Sequence, residues 1–174
     1  EKFSAEVAEV ILQVLKLSQA REESPDDAFV RDIETIMTGH QPVEHRLRSS
    51  LKSLARFLDA GSCRFYSYEK ESRHLKLSAQ CGNGSPGAGE SIPEAGSLVE
   101  WAMDCGEPEM FLSTKAQFRR ALILIPMKDS GPLGMLEVEN VPVVESSQIS
   151  VFEVAQSCAR LIAASIVKER KARI

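Results

Sequence analysis

The sequence predicts an α+β domain, because helix-like and strand-like patterns occupy different parts of the chain. Apolar residues recur at steps of three and four near both ends, and residues of alternating polarity form two hairpin patterns in the middle. A glycine-rich stretch lies between the hairpins and precedes a short helical pattern around the single tryptophan. At 174 residues, the chain is long enough for one domain with flanking helices but not for a second full core.

Three amphipathic helices are predicted before the first strand. The first presents an apolar face formed by Phe3, Val7, Val10, Val14 and Leu17. After a charged segment around Pro25, the second ends at Gly39 and buries Phe29, Ile33, Ile36 and Met37. The third has one face formed by Val43, Leu47, Leu51, Leu54 and Leu58. Gly61 follows it and is expected to cap its C-terminus.

The first hairpin is predicted from two segments, "CRFYSYEK" and "HLKLSAQC", in which polar and apolar residues alternate. The side expected beneath the helices comprises Cys63, Phe65, Leu75, Leu77 and Ala79. The opposite side comprises Arg64, Tyr66, Tyr68, Lys76, Ser78 and Gln80.

A short helix with Leu98, Trp101 and Ala102 inward is predicted to end at Gly106, and "EPEMF" is read as a short strand. The segment "RALILIPM" is apolar on both faces, as in a central strand, and pairs with the alternating "LGMLEVENV" in a second hairpin.

The last helix is predicted to start at about Ser146 and to carry two apolar stripes. One comprises Phe152, Ala155, Ala159, Ile162 and Ile166, and the other Val151, Val154, Cys158 and Leu161. One stripe is expected to cover the sheet, which leaves the other for a partner.

Three motifs in this order resemble the GAF domain family, the small-molecule sensing modules of signalling proteins. They are "GAGESIPEAGSLVEWAMDCGEPEMF", "ALILIPMKDSGPLGMLEVENV" and the closing helix "SQISVFEVAQSCARLIAASI". The resemblance implies an antiparallel GAF/PAS-like sheet of about six strands, with the first and last helices on one face and a ligand pocket on the other. It divides the chain into a helical extension (1–42), the sensor domain (43–167) and the start of a linker to an output domain (168–174).

Candidate ligand contacts are the residues expected on the helix-free face. Arg64 and Lys76 would hold an anion, Tyr66 and Trp101 would stack on a ring, and Glu137 would accept a base amine; Ser78, and Met135 from the last hairpin, would adjoin them. The same alternation also fits a face that only meets water, and Trp101 also fits an apolar anchor of its helix.

The stretch "CGNGSPG" contains a G-x-G-x-x-G pattern at Gly82, Gly84 and Gly87. A dinucleotide-binding turn would lead directly into a helix, but Pro86 lies inside the pattern and no helical period begins until about Ser97. We therefore expect the entry to a flexible flap, not a phosphate site.

Composition and cysteine use limit the other functions. Hydrophobic residues make up 43% and charged residues 26%, and the net charge is -4, so we expect no direct nucleic-acid partner. The four cysteines form no C-x-x-C pair and no histidine has zinc-ligand spacing to them, so we expect no metal and mostly buried thiols in a reducing cytoplasm. No apolar run reaches the length of a membrane span, so no membrane segment is expected in this fragment.

The sequence lacks the motifs of several ligand-binding branches of the resembled family. The cyclic-nucleotide signature, the Cys-His pair of bilin binders and a pocket histidine for haem are not found. A GAF-fold branch reduces free methionine sulfoxide with cysteines, and Cys81 and Cys105 are the candidates here.

The sequence therefore predicts a non-catalytic, ligand-sensing and dimerisation domain of a bacterial-type signalling or transcription-regulatory protein, with an unidentified small molecule as ligand. Homodimerisation through the flanking helices is expected, and a ligand-free dimerisation scaffold is the alternative. The chain begins at Glu1 and is expected to be a fragment of a longer protein.

Overall fold

The computed structural model describes residues 7–11, 23–82, 91–92, 98–113 and 119–172. The helices are α1 (Pro25–Thr38), α2 (Val43–Phe57), α3 (Leu98–Cys105) and α4 (Gln148–Ala172). The strands are β1 (Ser62–Glu69), β2 (His74–Gly82), β3 (Ser91–Ile92), β4 (Glu109–Ser113), β5 (Arg120–Lys128) and β6 (Pro132–Pro142). Residues 7–11 are helical as predicted, and the rest of the predicted first helix lies outside the described residues.

The strands form one antiparallel sheet in the order β3-β2-β1-β6-β5-β4. This confirms the predicted α+β class, although the count of six strands includes β3, which is only two residues long. Both predicted hairpins are present, and the first and last long strands, β1 and β6, pair with each other at the centre. The sheet therefore joins the two hairpins through its middle.

Helices α1, α2 and α4 form a layer on one face of the sheet. The α1 N-terminus is capped by Ser24, whose hydroxyl accepts a hydrogen bond of 3.1 Å from the Asp27 amide, and Pro25 occupies the first turn. The main core lies between this layer and the sheet, and its members include Ile33, Leu51, Leu54, Phe65, Ile123, Leu136, Val138 and Ile162. The predicted stripes of α1 and α2 and the first stripe of α4 thus supply the core as expected.

Two expectations for the helices are wrong. The cap of α2 is not Gly61: α2 ends at Phe57, the backbone reverses at Asp59 with φ 50°, and Gly61 instead donates its amide to the Glu139 carbonyl at 3.0 Å. The second stripe of α4 is not left for a partner, because Val154 and Cys158 are buried inside the domain, where α1 packs against α4.

Helix α3 lies on the opposite face, over β5 and β6. Its Ala102 is buried in a smaller apolar cluster with Tyr66, Leu124 and Met135. Trp101 was expected inward but is 45% exposed, with its ring edge against Phe111 at a centroid distance of 5.9 Å. Gly106 ends α3 as predicted, with φ 69° and its amide bonded to the Ala102 carbonyl at 2.9 Å.

Candidate ligand-binding site

A bulge in the first hairpin decides which side chains share a face. Phe65 pairs with Ala79 and Tyr66 pairs with Leu77, so Ser78 is the extra residue of the bulge and has no residue opposite it on β1. Because side chains alternate along a strand, one extra residue moves the side chains of the preceding β2 residues to the opposite face of the sheet. The helix-face and open-face sets predicted from simple alternation are therefore mixed in this hairpin.

The bulge separates the predicted site residues. Lys76 and Ser78 line a cavity of about 530 Å³ on the helix side, between β1, β2 and the ends of α2 and α4. Ser78 also shares a hydrogen bond of 2.7 Å with the hydroxyl of Ser67, and the Lys76 ammonium lies 3.4 Å from a Glu69 oxygen. Leu77, expected beneath the helices, instead packs in the open-face cluster.

Arg64, Tyr66 and Glu137 do lie together on the open face. The Arg64 guanidinium donates to the Glu137 carboxylate, and both residues are more than nine-tenths buried. A second nitrogen of Arg64 is 3.1 Å from Glu139, which also accepts a 3.0 Å hydrogen bond from the Ser62 hydroxyl. Register explains the group, because Arg64 is directly opposite Glu137, and Ser62 opposite Glu139, on neighbouring strands.

Burial dominates the electrostatics of this cluster. It raises the pKa of the Glu137 carboxyl above 4.5, and the attraction of Arg64 offsets only part of that rise. Burial, with a contribution from the Glu137 charge, also raises the pKa of Tyr66 to about 12, so its phenol stays neutral and able to donate a hydrogen bond. The cluster is thus two opposite charges and one neutral phenol held in a poorly hydrated place.

An open cavity of about 820 Å³ borders the cluster, between the ends of β1 and β6 and strands β4 and β5. Its wall includes Ser62, Arg64, Arg120, Glu139 and Asn140. Of the predicted contacts, Arg64 alone is among the described residues that line this cavity; Tyr66, Trp101 and Glu137 are not. The prediction missed Ser62, Arg120, Glu139 and Asn140, although Ser62 and Glu139 each lie two residues from a predicted contact on the same strand face, and that spacing would have pointed to them.

Gln80 is a further open-face residue, because it pairs directly with Arg64 across β1 and β2. Its side-chain oxygen is buried and has no hydrogen-bond partner among the described residues. A buried acceptor of this kind costs free energy unless something satisfies it, so Gln80 offers a hydrogen-bond acceptor beside Arg64.

The cysteines and acids suggest no metal centre in the part of the chain that is described, where no group of three or more His, Cys, Asp or Glu residues could hold a metal ion. Cys81 packs on the helix side of β2, whereas Cys105 is exposed on α3 across the sheet. The two candidates for a reductase pair are therefore on opposite faces.

One stretch, Glu145–Ala172, is long and apolar enough to cross a membrane by length and composition alone. This differs from the expectation that no apolar run has that length. Val154, Ala155 and Ile162 from this stretch are buried in the domain, and a helix covering a protein core meets the same criterion.

Comparison with protein families gives a match to the GAF domain model over residues 43–166, which confirms the resemblance inferred from the three motifs. None of the curated proteins matches this chain by sequence. The fold is similar to that of the nlh2 GAF domain from A. aeolicus in an inactive state, with a TM-score of 0.69, 15% identity, and coverage of 83% of this chain and 96% of that chain.

Two further solved structures show how differently this fold is used. The GAF domain of a putative sensor histidine kinase from Pseudomonas syringae pv. tomato has a TM-score of 0.61 and 15% identity, and covers 92% of this chain and 96% of that chain. Free methionine-R-sulfoxide reductase from Neisseria meningitidis, in complex with its substrate, has a TM-score of 0.63 and 16% identity, and covers 86% of this chain and 95% of that chain. At these identities the similarity shows a common fold, which sensors and enzymes share.

Proposed function

Because this chain belongs to the GAF domain family, we propose that it is the ligand-sensing and dimerisation domain of a cytoplasmic signalling or transcription-regulatory protein and has no catalysis of its own. Its ligand is a small polar molecule held on the open face of the sheet. The observation that carries this proposal is the buried Arg64–Glu137 pair at the edge of an open cavity. A buried ion pair contributes little net stability compared with apolar residues of the same size, so recognition is the better reason for its presence.

The chemistry of the cavity wall favours a ligand that carries both an anionic group and a hydrogen-bond donor. Arg64 and Arg120 offer planar forks of donors that suit a carboxylate or phosphate, and Glu139 is an acceptor that is half exposed. The side-chain oxygen of Gln80, which has no partner in the described part of the chain, is a further acceptor on the same face. Amino acids and small nucleotides have both kinds of group.

Signal relay would pass through the helical layer. Helix α4 covers β5 and packs against α1 and α2, so a shift of the sheet changes the packing of the helix that leads out of the domain. The exposed apolar side chains Val7, Val10 and Ile11, on one short helical segment, suit pairing with a second copy. We propose that the flanking helices form this homodimer and carry the change to an output domain.

The alternative, a ligand-free dimerisation scaffold, also has a specific observation in its favour. Arg64 already contacts both Glu137 and Glu139, so the charges of the cluster balance one another without a ligand. A reductase built on Cys81 and Cys105 is less favoured, because the sheet lies between the two thiols.

Isothermal titration calorimetry with a panel of amino acids, dicarboxylates, and mono- and cyclic nucleotides tests the proposal. We expect one class to bind, and Glu139→Gln to weaken it about tenfold or more through loss of a charged acceptor. Glu169→Gln is the matched control, because Glu169 pairs with Arg46 in the helical layer and does not line the open-face cavity of about 820 Å³. Absence of binding across the panel, with the same dimer in sedimentation equilibrium, would leave only the scaffold.

A further inference from the structure

Three of the four cysteines belong to the core on the helix side of the sheet. Cys63 of β1 is directly opposite Cys81 of β2, and both contact the helix-side core together with Cys158 of α4. The remaining cysteine, Cys105, is exposed on α3. Cys63 and Cys81 lie outside the three motifs that resemble the family, whereas Cys158 lies within the closing-helix motif.

The register brings Cys63 and Cys81 close enough for a disulfide. Residues directly opposite in an antiparallel pair have their Cα atoms about 4.5–5.5 Å apart and their Cβ atoms about 4.5–5.5 Å apart. A disulfide needs Cα atoms at about 4.4–6.8 Å and Cβ atoms at about 3.5–4.5 Å. Both side chains are on the same face, so at most a small movement of the strands joins the two sulfurs.

The two thiols differ in access to solvent. Cys63 is fully buried, and that burial raises the pKa of its thiol well above the usual value. Cys81 is partly exposed, one residue before the end of β2 at Gly82. A reagent in water therefore meets Cys81 first, and Cys63 can react only with a group that Cys81 presents to it.

We propose that Cys63 and Cys81 are a redox-active dithiol that hydroperoxides oxidise to an intramolecular disulfide. The Cys81 sulfur attacks one peroxide oxygen, the O–O bond breaks, and an alcohol or water leaves with the thiol proton, so that Cys81 becomes a sulfenic acid. The Cys63 sulfur then attacks the Cys81 sulfur, the S–O bond breaks, and the hydroxide leaves as water with the Cys63 proton. Two thiols lose two electrons and two protons, and one hydroperoxide is reduced to an alcohol and water.

Two other pairings are less suitable. Cys158 is as deeply buried as Cys63, so a pair of these two offers no thiol to the peroxide. Cys105 is accessible, but it lies across the sheet from Cys81. In a reducing compartment, a disulfide of this kind is transient and marks a redox sensor more than a structural link.

The position of the pair in β1 and β2 allows its oxidation to affect the packing of the rest of the domain. Cys63 precedes Arg64, whose side chain lies on the open face, and the Cys63 sulfur packs in the same core cluster as Cys158 of α4. Drawing Cys63 toward Cys81 changes how Cys63 packs in this cluster, to which the last helix also contributes. This role does not depend on the ligand proposed above.

The test uses the full 174-residue chain. It is reduced, exposed to hydrogen peroxide, alkylated, and digested without reductant by trypsin and then by a glutamate-specific protease. The second protease cleaves after Glu90, Glu94 and Glu100 and so separates Cys81 from Cys105. We expect a Cys63–Cys81 cross-linked peptide and the loss of two of the four free thiols. A cross-link between any other two cysteines as the main product, or no cross-link while Cys105 is oxidised, overturns the proposal.

Single variants provide a second readout that separates the two thiols. With Cys63→Ala, Cys81 should stop at the sulfenic acid and be trapped by dimedone at least ten times more than in the parent chain. With Cys81→Ala, Cys63 should stay reduced. Cys105→Ala and Cys158→Ala are the matched controls and should form the cross-link in normal yield; circular dichroism checks that each variant is folded. Equal dimedone trapping in the parent chain and in Cys63→Ala would show that Cys63 does not resolve the sulfenic acid.

Discussion

Replacing Arg64 by methionine should remove much of the stability of the domain. The side chains of Arg64 and Glu137 are only 11% and 10% exposed, so Glu137 cannot regain its water when its partner is lost. Leaving one member of a buried ion pair without its partner lowers the free energy of unfolding by about 3–5 kcal/mol. At about 2–4 °C per kcal/mol for a domain of this size, the melting temperature should fall by about 6–20 °C. Urea and thermal unfolding followed by circular dichroism measure both quantities.

The double variant Arg64→Met/Glu137→Met separates the lost attraction from the stranded charge. It removes both charges, so most of the lost stability should return. Arg31→Met is the control, because Arg31 is paired with Glu23 in an exposed position and should cost less than about 1 kcal/mol. The reasoning is refuted if Arg64→Met costs no more than Arg31→Met, or if the double variant is no more stable than Arg64→Met.

Three further predictions concern the same part of the sheet. Since the pKa of Glu137 is raised in the folded state, the stability that this carboxyl contributes is fully present below pH 4.5 and is lost as the pH rises through its folded-state pKa. The difference in melting temperature between the parent and Glu137→Gln should therefore increase as the pH falls toward 4.5. Gly134→Ala would place a Cβ 2.1 Å from the Tyr66 carbonyl oxygen and should cost about 1–3 kcal/mol in urea unfolding, whereas Gly131→Ala meets nothing within 4 Å and should cost much less. In an alkaline absorbance titration, the step of Tyr66 should be centred near pH 12 and be missing in Tyr66→Phe; because this pKa is raised from 10.0, the stability it contributes is present below pH 10.0 and is lost as the pH rises through 12.

The helices and the central strands could be predicted because burial imposes a period on the sequence. The apolar stripes of α2 and α4 and the two-sided apolar pattern of β5 each appear in the structure as expected. Helix ends were less predictable, since Asp59 takes the positive φ that Gly61 was expected to supply. Asp tolerates this conformation better than most residues, so the presence of a glycine nearby was not decisive.

The facing of the first hairpin could not be predicted, because a bulge leaves no mark in a polar–apolar pattern. Ser78 fits the alternation of β2 as a polar residue, yet it is the extra residue that places Lys76 on the helix side. Arg64 and Glu137 were placed correctly because they lie beyond the bulge, in the regular pairing of β1 with β6. The predicted site thus lost one cation, and an expected anion pocket became a group with nearly balanced charges.

Strand β1 connects the two faces of the sheet through consecutive residues. Arg64 contacts the carboxylates that border the open cavity, and its neighbour Cys63 contacts the core beneath α4. If a ligand that binds Arg64 moves the backbone of β1, the neighbouring residues of β1 move with it, and the close-packed core on the helix side cannot stay unchanged. The packing of Cys63 against the helix side must then change as well. A ligand at the cavity and a disulfide to Cys81 would therefore act on α4 through the same strand, which makes β1 the element whose movement both signals require.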